Sequence, residues 1–140
     1  MHAPRVKIRF VGTHAGFAEG FARLRTALDA EGLAGAARYD VELVFEEIVA
    51  NIVGYGARNG RPPEVCVELE SRAGSIALIF CDDGVAFDPR GRPDPVIPTS
   101  LAEARIGGFG LMLVRHAASS LEYERTAEEQ NRLTVVVPRR

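Results

Sequence analysis

Three short stretches carry side chains whose types and spacing can do chemistry. In the run from Val41 to Tyr55, Glu47 and Asn51 stand four residues apart, so on a helix they share a face. A carboxamide oxygen is a hard ligand suited to Mg²⁺, and a neighbouring carboxylate can accept a proton or orient a water. The plain alternative is that both are solvated positions on an amphipathic helix, and Glu46 beside Glu47 favours it. The second stretch is Asp82-Asp83-Gly84, which follows an apolar run. There a carboxylate at a strand end accepts hydrogen bonds only, and so suits a ring that carries an amino group. Gly84 lets the chain turn sharply with a ligand close by. The alternative is that Asp82 only caps a turn. The third stretch is Gly107-Gly108-Phe109-Gly110, ahead of the apolar run Leu111 to Ala118. Glycines at a helix start leave free backbone N–H groups and room for a phosphate, or else make a hinge.

The elements that position these groups follow from periodicity. Apolar residues at Val41, Val44 or Phe45, Ile48, Ile52 and Tyr55 predict a helix from about Ala36 to Gly54–Gly56 with one buried stripe. Glu47 and Asn51 then lie at the rim of that stripe, roughly 100° around from Ile48 and Ile52. Val6 to Val11 alternates as a half-exposed strand, and Phe17, Phe21, Leu24 and Leu28 mark a first helix that starts at Thr13 or His14 and stops by Gly32 or Gly35. Glu64–Glu70 alternates, Ala73-Gly74 turns the chain, and Ser75–Cys81 reads as a central strand, so the two make an antiparallel hairpin. Residues 82–107 hold Pro89, Pro93, Pro95 and Pro98 and lack periodicity, with a short helical turn predicted at Ser100–Ala104. Leu121–Arg125 and Leu133–Val137 close the chain as two strands around a polar turn at Glu128–Asn131. Strand pairs mixed with helices predict an α+β, two-layer sandwich: a mostly antiparallel mixed sheet covered on one face by helices.

Composition narrows the function classes. The 140 residues are 46% hydrophobic and 26% charged with net charge −2. That is enough chain for one domain with a real core, and it carries no global basic field for nucleic acid. Cys66 and Cys81 fall inside predicted strands and His2, His14 and His116 are dispersed, so a zinc site is disfavoured and buried free thiols in a reducing compartment are expected. No leader and no apolar run of about 18 residues is present, which makes the cytoplasm the default and gives no reason to expect a membrane.

Taken in order, the three stretches resemble the motifs of the Bergerat ATP-binding fold shared by histidine kinases, gyrase, Hsp90 and MutL. Within it they look most like the stand-alone anti-sigma-factor serine/threonine kinases. Phe45–Tyr55 resembles the N box, Asp82–Pro89 the first glycine box and Gly107–Val114 the second. The resemblance implies ATP and Mg²⁺ as cofactors. By it, Glu47 matches the catalytic base and Asn51 the Mg²⁺ ligand. Asp82 with Gly84 matches the adenine side, Gly107, Gly108, Phe109 and Gly110 the phosphate side, and residues 88–106 the lid. Thr134 matches a late-strand threonine near adenine, and Arg105 is placed to reach phosphate from the lid. The partners implied are an anti-sigma-factor antagonist of the STAS type, a sigma factor or other signalling protein, and a second copy of the chain. Two departures stand out. Ala86 replaces a glycine usual in the wider superfamily, which favours the kinase subgroup. Gly54 stands where relatives often carry Lys or Arg, which favours an alternative: an ATP-binding module that regulates by binding alone. A third reading is a structural domain without nucleotide.

Overall fold

The computed structural model describes residues 5–91 and 109–139. The elements run β1 (Arg5–Val11), α1 (His14–Ala30), α2 (Gly35–Tyr55), β2 (Glu64–Arg72), β3 (Ser75–Asp82), a 3₁₀ turn (Pro89–Gly91), α3 (Phe109–Ala117), β4 (Ser120–Arg125) and β5 (Asn131–Pro138). The α+β class and the element order agree with the sequence reading. The predicted turn at Ser100–Ala104 and the lid beyond Gly91 lie outside the described residues.

Thr13 starts α1 by accepting a hydrogen bond from the Gly16 amide at 3.0 Å, which satisfies one of the unpaired donors of the first turn. The helix ends at Ala30, and Gly32 just beyond it takes φ +68°, the left-handed conformation that glycine adopts without penalty. The strands form one sheet in the order β1-β2-β3-β5-β4. Every pairing among them is antiparallel, so the described sheet is not mixed. Strand β3 is central because it is buried on both faces, from Ile76 to Phe80, as its nearly unbroken apolar run requires.

Residue parity divides the sheet. Ile8 and Phe10, Val65, Val67 and Leu69, Ile76, Leu78 and Phe80, and Leu133, Val135 and Val137 join the helices in one core. The opposite face carries charge: Arg5 and Lys7 pair with Glu68, and Arg5 and Arg72 pair with Glu70. Cys66 and Cys81 lie on this second face, half-exposed and directly opposite one another across β2 and β3. The expectation of buried thiols is therefore corrected: the side of the strand they occupy is the one the helices leave uncovered. No helix of the described residues is long and apolar enough to cross a membrane.

Five phenylalanines fix the rotation of α2. Phe45 is fully buried, with Phe10, Phe17, Phe21 and Phe80 ring centroids 5.9–6.3 Å from its own. Rings from β1, α1 and β3 thus converge on one α2 side chain, two residues before Glu47. Replacing Phe45 with Ala removes the ring and leaves a void, which costs about 3–5 kcal/mol. Denaturant unfolding of the Phe45→Ala variant, compared with an exposed control such as Tyr39→Ala, checks this; a loss under about 1 kcal/mol would show that the cluster does not seat the helix.

Candidate functional site

Strand β3 delivers Asp82 to the helix-covered side, in line with Ile76, Leu78 and Phe80. Its neighbours across the sheet are Val65 on β2 and Asn131 on β5. Asp82 is only 5% exposed. Its Oδ1 accepts from the Gly84 amide at 2.9 Å and from Asn131 Nδ2 at 3.0 Å. Burial pushes the Asp82 carboxyl above the usual aspartate range, against the lowering effects of the Asn131 and Gly84 hydrogen bonds and of Arg125. Oδ2 has no hydrogen-bond partner among the described residues, although it belongs to a group that lines a cavity.

Asn131 holds the turn that follows. Its Nδ2 also donates to the Val85 carbonyl at 2.9 Å, while its Oδ1 accepts from Tyr123 Oη at 2.6 Å and from the Phe87 amide at 3.2 Å. That uses both donors and both lone pairs of a carboxamide. Gly84 is needed where it stands, because a Cβ there would come within 2.5 Å of the Gly56 carbonyl oxygen and 2.9 Å of Asp82 Oδ1. Arg125 donates to the Gly84 carbonyl at 3.0 Å, and the Val85 amide donates to the Gly56 carbonyl at 3.2 Å. Asp83 turns the other way. Its Oδ1 accepts from the Glu64 amide and its Oδ2 from Arg61, so of the two adjacent aspartates only Asp82 lines the cavity.

That cavity lies between the end of α2 and the strand ends, with about 420 Å³ of open volume including its mouth. Ile48, Ile52, Phe80 and Leu133 give it an apolar lining, and Asn51 and Asp82 supply polar groups. Tyr55 stacks on Phe87 at its rim, with centroids 5.4 Å apart and planes 5° from parallel. A narrow apolar slot with a buried carboxylate suits a planar heterocycle bearing an amino donor. Beyond the slot, Arg115 of α3 donates to the Pro89 carbonyl at 3.1 Å, and Arg90 lies over the Tyr123 ring at 5.8 Å, so the 3₁₀ turn is tied to α3 and β4.

The structure brings Asn51, Asp82 and Gly84 to one place. Glu47 stands one turn back along α2, where its carboxylate occupies the space a Cβ on Gly110 would need; α3 approaches α2 this closely only because residue 110 is glycine. Gly107, Gly108 and Arg105 lie outside the described residues, and Phe109 is described only as the first residue of α3. Thr134 is a correction. It sits opposite Ile79 and Glu122, on the charged face of the sheet, because Leu133 and Val135 point toward the helices. Asn131 takes the late-strand place instead. Sequence reading put it in a polar turn, yet its spacing of two from Leu133 was the available signal.

Residues 17–137 match the model of the histidine kinase-like ATPase domain, and the chain belongs to that family, whose ATPase character implies a site for ATP. The anti-sigma serine/threonine kinase branch that the motifs resemble is supported by a similar protein, the serine/threonine-protein kinase BtrW of Bordetella bronchiseptica. It is 33% identical over 88 residues, which cover 63% of this chain and 62% of BtrW. The chain thus spans a little under two thirds of that relative in the matched region. In fold it is similar to a chain in the crystal structure of the SiaB–SiaC complex from Pseudomonas aeruginosa, with TM-score 0.58, 15% identity, and coverage of 94% of this chain and 88% of that one.

Asp82→Asn keeps the acceptor toward Gly84 and Asn131 and turns the second oxygen into a donor. A carboxyl whose folded pKa is raised contributes stability below its unfolded value, about 4, and that contribution is lost as pH rises through the folded value. Above its unfolded value the Asp82 carboxyl is therefore a net cost to the fold. The variant should melt no lower than the wild type at pH 7, and its advantage should shrink as pH falls toward about 4. A melting temperature well below wild type at pH 7 would contradict the burial argument.

Proposed function

We propose that the chain is a single-domain ATP-binding regulator that transfers the γ-phosphoryl group of ATP to a serine or threonine of an anti-sigma-factor antagonist, and that in the alternate state of the circuit it sequesters a sigma factor. One observation carries the reading: a nearly buried carboxylate, Asp82, braced on one oxygen by Asn131 and Gly84, in an apolar slot that also receives Asn51. Adenine would enter the slot with its amino group toward Asp82 Oδ2. The names of BtrW, a kinase, and of the SiaB–SiaC complex support kinase chemistry and a protein partner. The branch resemblance supports an antagonist of the STAS type, a homodimer and a cytoplasmic setting.

The residues fit a magnesium ion. Asn51 offers a neutral oxygen in the cavity, and Mg²⁺ commonly takes one or two protein oxygens and fills its shell with phosphate and water. When bound it would neutralise phosphate charge. Asn51 would orient the phosphates, and Glu47, against Gly110, would accept the proton of the attacking hydroxyl. Gly107, Gly108, Phe109 and Gly110 would lie along the phosphates. The slot walls would exclude water from the base.

A second reading, regulation by binding alone, is favoured by Gly54. It is exposed on α2 with open space around the place of a Cβ, so no cation reaches toward phosphate from this position. The two readings separate on Glu47→Gln. Under the kinase reading this variant binds ATP as the wild type does, while transfer of labelled γ-phosphate to the partner falls by about 10²–10⁴. Equal transfer by both proteins would remove Glu47 as the base. Absence of transfer by the wild type, with ATP binding intact, would leave the binding module.

Gly54→Lys adds the missing cation without a clash. Leaving glycine inside a helix also stabilises it by roughly 0.5–1 kcal/mol. The variant should therefore resist denaturant at least as well as the wild type and bind ATP more tightly than adenosine by a wider margin. Calorimetry with both ligands checks this, and an unchanged ratio would mean that the phosphates do not pass residue 54.

A further inference from the structure

The two cysteines lie in a cross-strand row that the proposed chemistry does not use. On the sheet face away from the helices, Arg9, Cys66, Cys81, Arg132 and Glu124 are successive neighbours on β1, β2, β3, β5 and β4. Directly opposed residues of an antiparallel pair have Cα atoms about 4.5–5.5 Å apart, inside the roughly 4.4–6.8 Å that a disulfide spans. Both thiols are free and half-exposed. They open on a cleft of about 460 Å³ that Arg9, Glu64, Asp83 and Gln130 also line, so a small oxidant can reach them. Burial pushes the Cys81 thiol up, with Arg132 opposing and the neighbouring Cys66 and Glu68 adding to the rise.

The pair also adjoins the cavity. Cys81 precedes Asp82 on β3, and Cys66 follows Val65, the residue opposite Asp82. Cβ atoms of opposed strand residues sit about 4.5–5.5 Å apart, and a disulfide needs about 3.8 Å. A disulfide's Cβ atoms lie at or inside the near end of that range, so closing the bond draws the ends of β2 and β3 together by up to about an ångström, at the position where Asp82 meets Asn131 and Gly84.

We propose that Cys66 and Cys81 form a reversible dithiol–disulfide site, oxidised by hydrogen peroxide, whose closure displaces the Asp82 turn. One thiolate of the pair attacks one peroxide oxygen, the O–O bond breaks, and a sulfenic acid and water result once the departing hydroxide takes a proton. The other cysteine sulfur then attacks the sulfenic sulfur, losing its proton and expelling the hydroxyl as a second water. Two thiols and one peroxide give one disulfide and two waters, and a dithiol reductant reverses the change. Weakened nucleotide binding follows where the ATP-site reading of the preceding subsection holds.

The whole chain, treated with peroxide and then alkylated, should resist alkylation at both cysteines and weigh less by two hydrogens, with recovery after dithiothreitol. Cys66→Ser should show neither change. In the oxidised wild type the amide hydrogens of Gly84 and Phe87, which donate to Asp82 and Asn131, should exchange faster, and Kd for ATP should rise at least about fivefold. Two thiols still open to alkylation after peroxide treatment would overturn the proposal. So would a disulfide that leaves the Gly84 and Phe87 exchange rates unchanged. A reduced protein that binds no nucleotide would count against the ATP site alone, because the mass and exchange readings decide the dithiol without it.

Discussion

The carboxylate of Asp82 cannot be buried cheaply, and most of the local structure can be read as the means of holding it. A carboxylate removed from water must find donors. Here they come from the Asn131 carboxamide and the Gly84 amide, with Arg125 near enough to lower the cost further. Those donors satisfy one oxygen only. Burial holds the carboxyl above its ordinary range, and a donor brought by a ligand can meet the second oxygen. Asn131 could not play this part if it were free to rotate. Its bonds to Val85, Phe87 and Tyr123 fix it from both sides, so the turn from Asp82 to Phe87 and the strand ends β3, β4 and β5 are one hydrogen-bonded unit.

Helix α2 connects this unit to the rest of the molecule by changing its environment along its length. Through Val49 its inward face is core, seated by Phe45 among rings from three other elements. From Asn51 onward the same line of positions emerges from the core and lines the cavity. A well-packed first half sets the rotation of the second, since a helix turns as a rigid body between its ends. Aromatic packing two residues before Glu47 is thus what aims Glu47 at Gly110 and Asn51 at the slot.

What was legible in the sequence follows from which forces are periodic. Helix α2, the hairpin of β2 and β3, and the α+β class came from apolar spacing, because burial imposes a repeat of 3.6 or 2 on the chain. Asp82 and Gly84 were legible because an acid and a glycine after an apolar strand contradict that repeat. Asn131 was not. It follows Glu128, Glu129 and Gln130 and looks like the end of a polar turn, yet it is the first inward position of β5. Thr134 failed for the same cause with the opposite sign: one step of parity moves a side chain to the other face of the sheet. The facing of Cys66 and Cys81 depends on register between strands, which the two-residue turn at Ala73-Gly74 sets and composition does not reveal.

The positions on α2 also order the proposed site along one axis. Glu47, Asn51 and Tyr55 follow at intervals of four residues, about 6 Å each. The first faces the start of α3, the second the cavity, and the third the aromatic rim. In the proposed reading this places proton acceptance, phosphate orientation and base enclosure at successive turns of a single helix. The division has a consequence for how such a chain can change. In that reading base recognition would depend on strand ends and on Asn131, whereas transfer would depend on the α2–α3 contact at Glu47 and Gly110. A substitution on one side need not disturb the other, so a glycine at position 54 can weaken the grip on phosphate while the adenine slot and the fold around it stay intact.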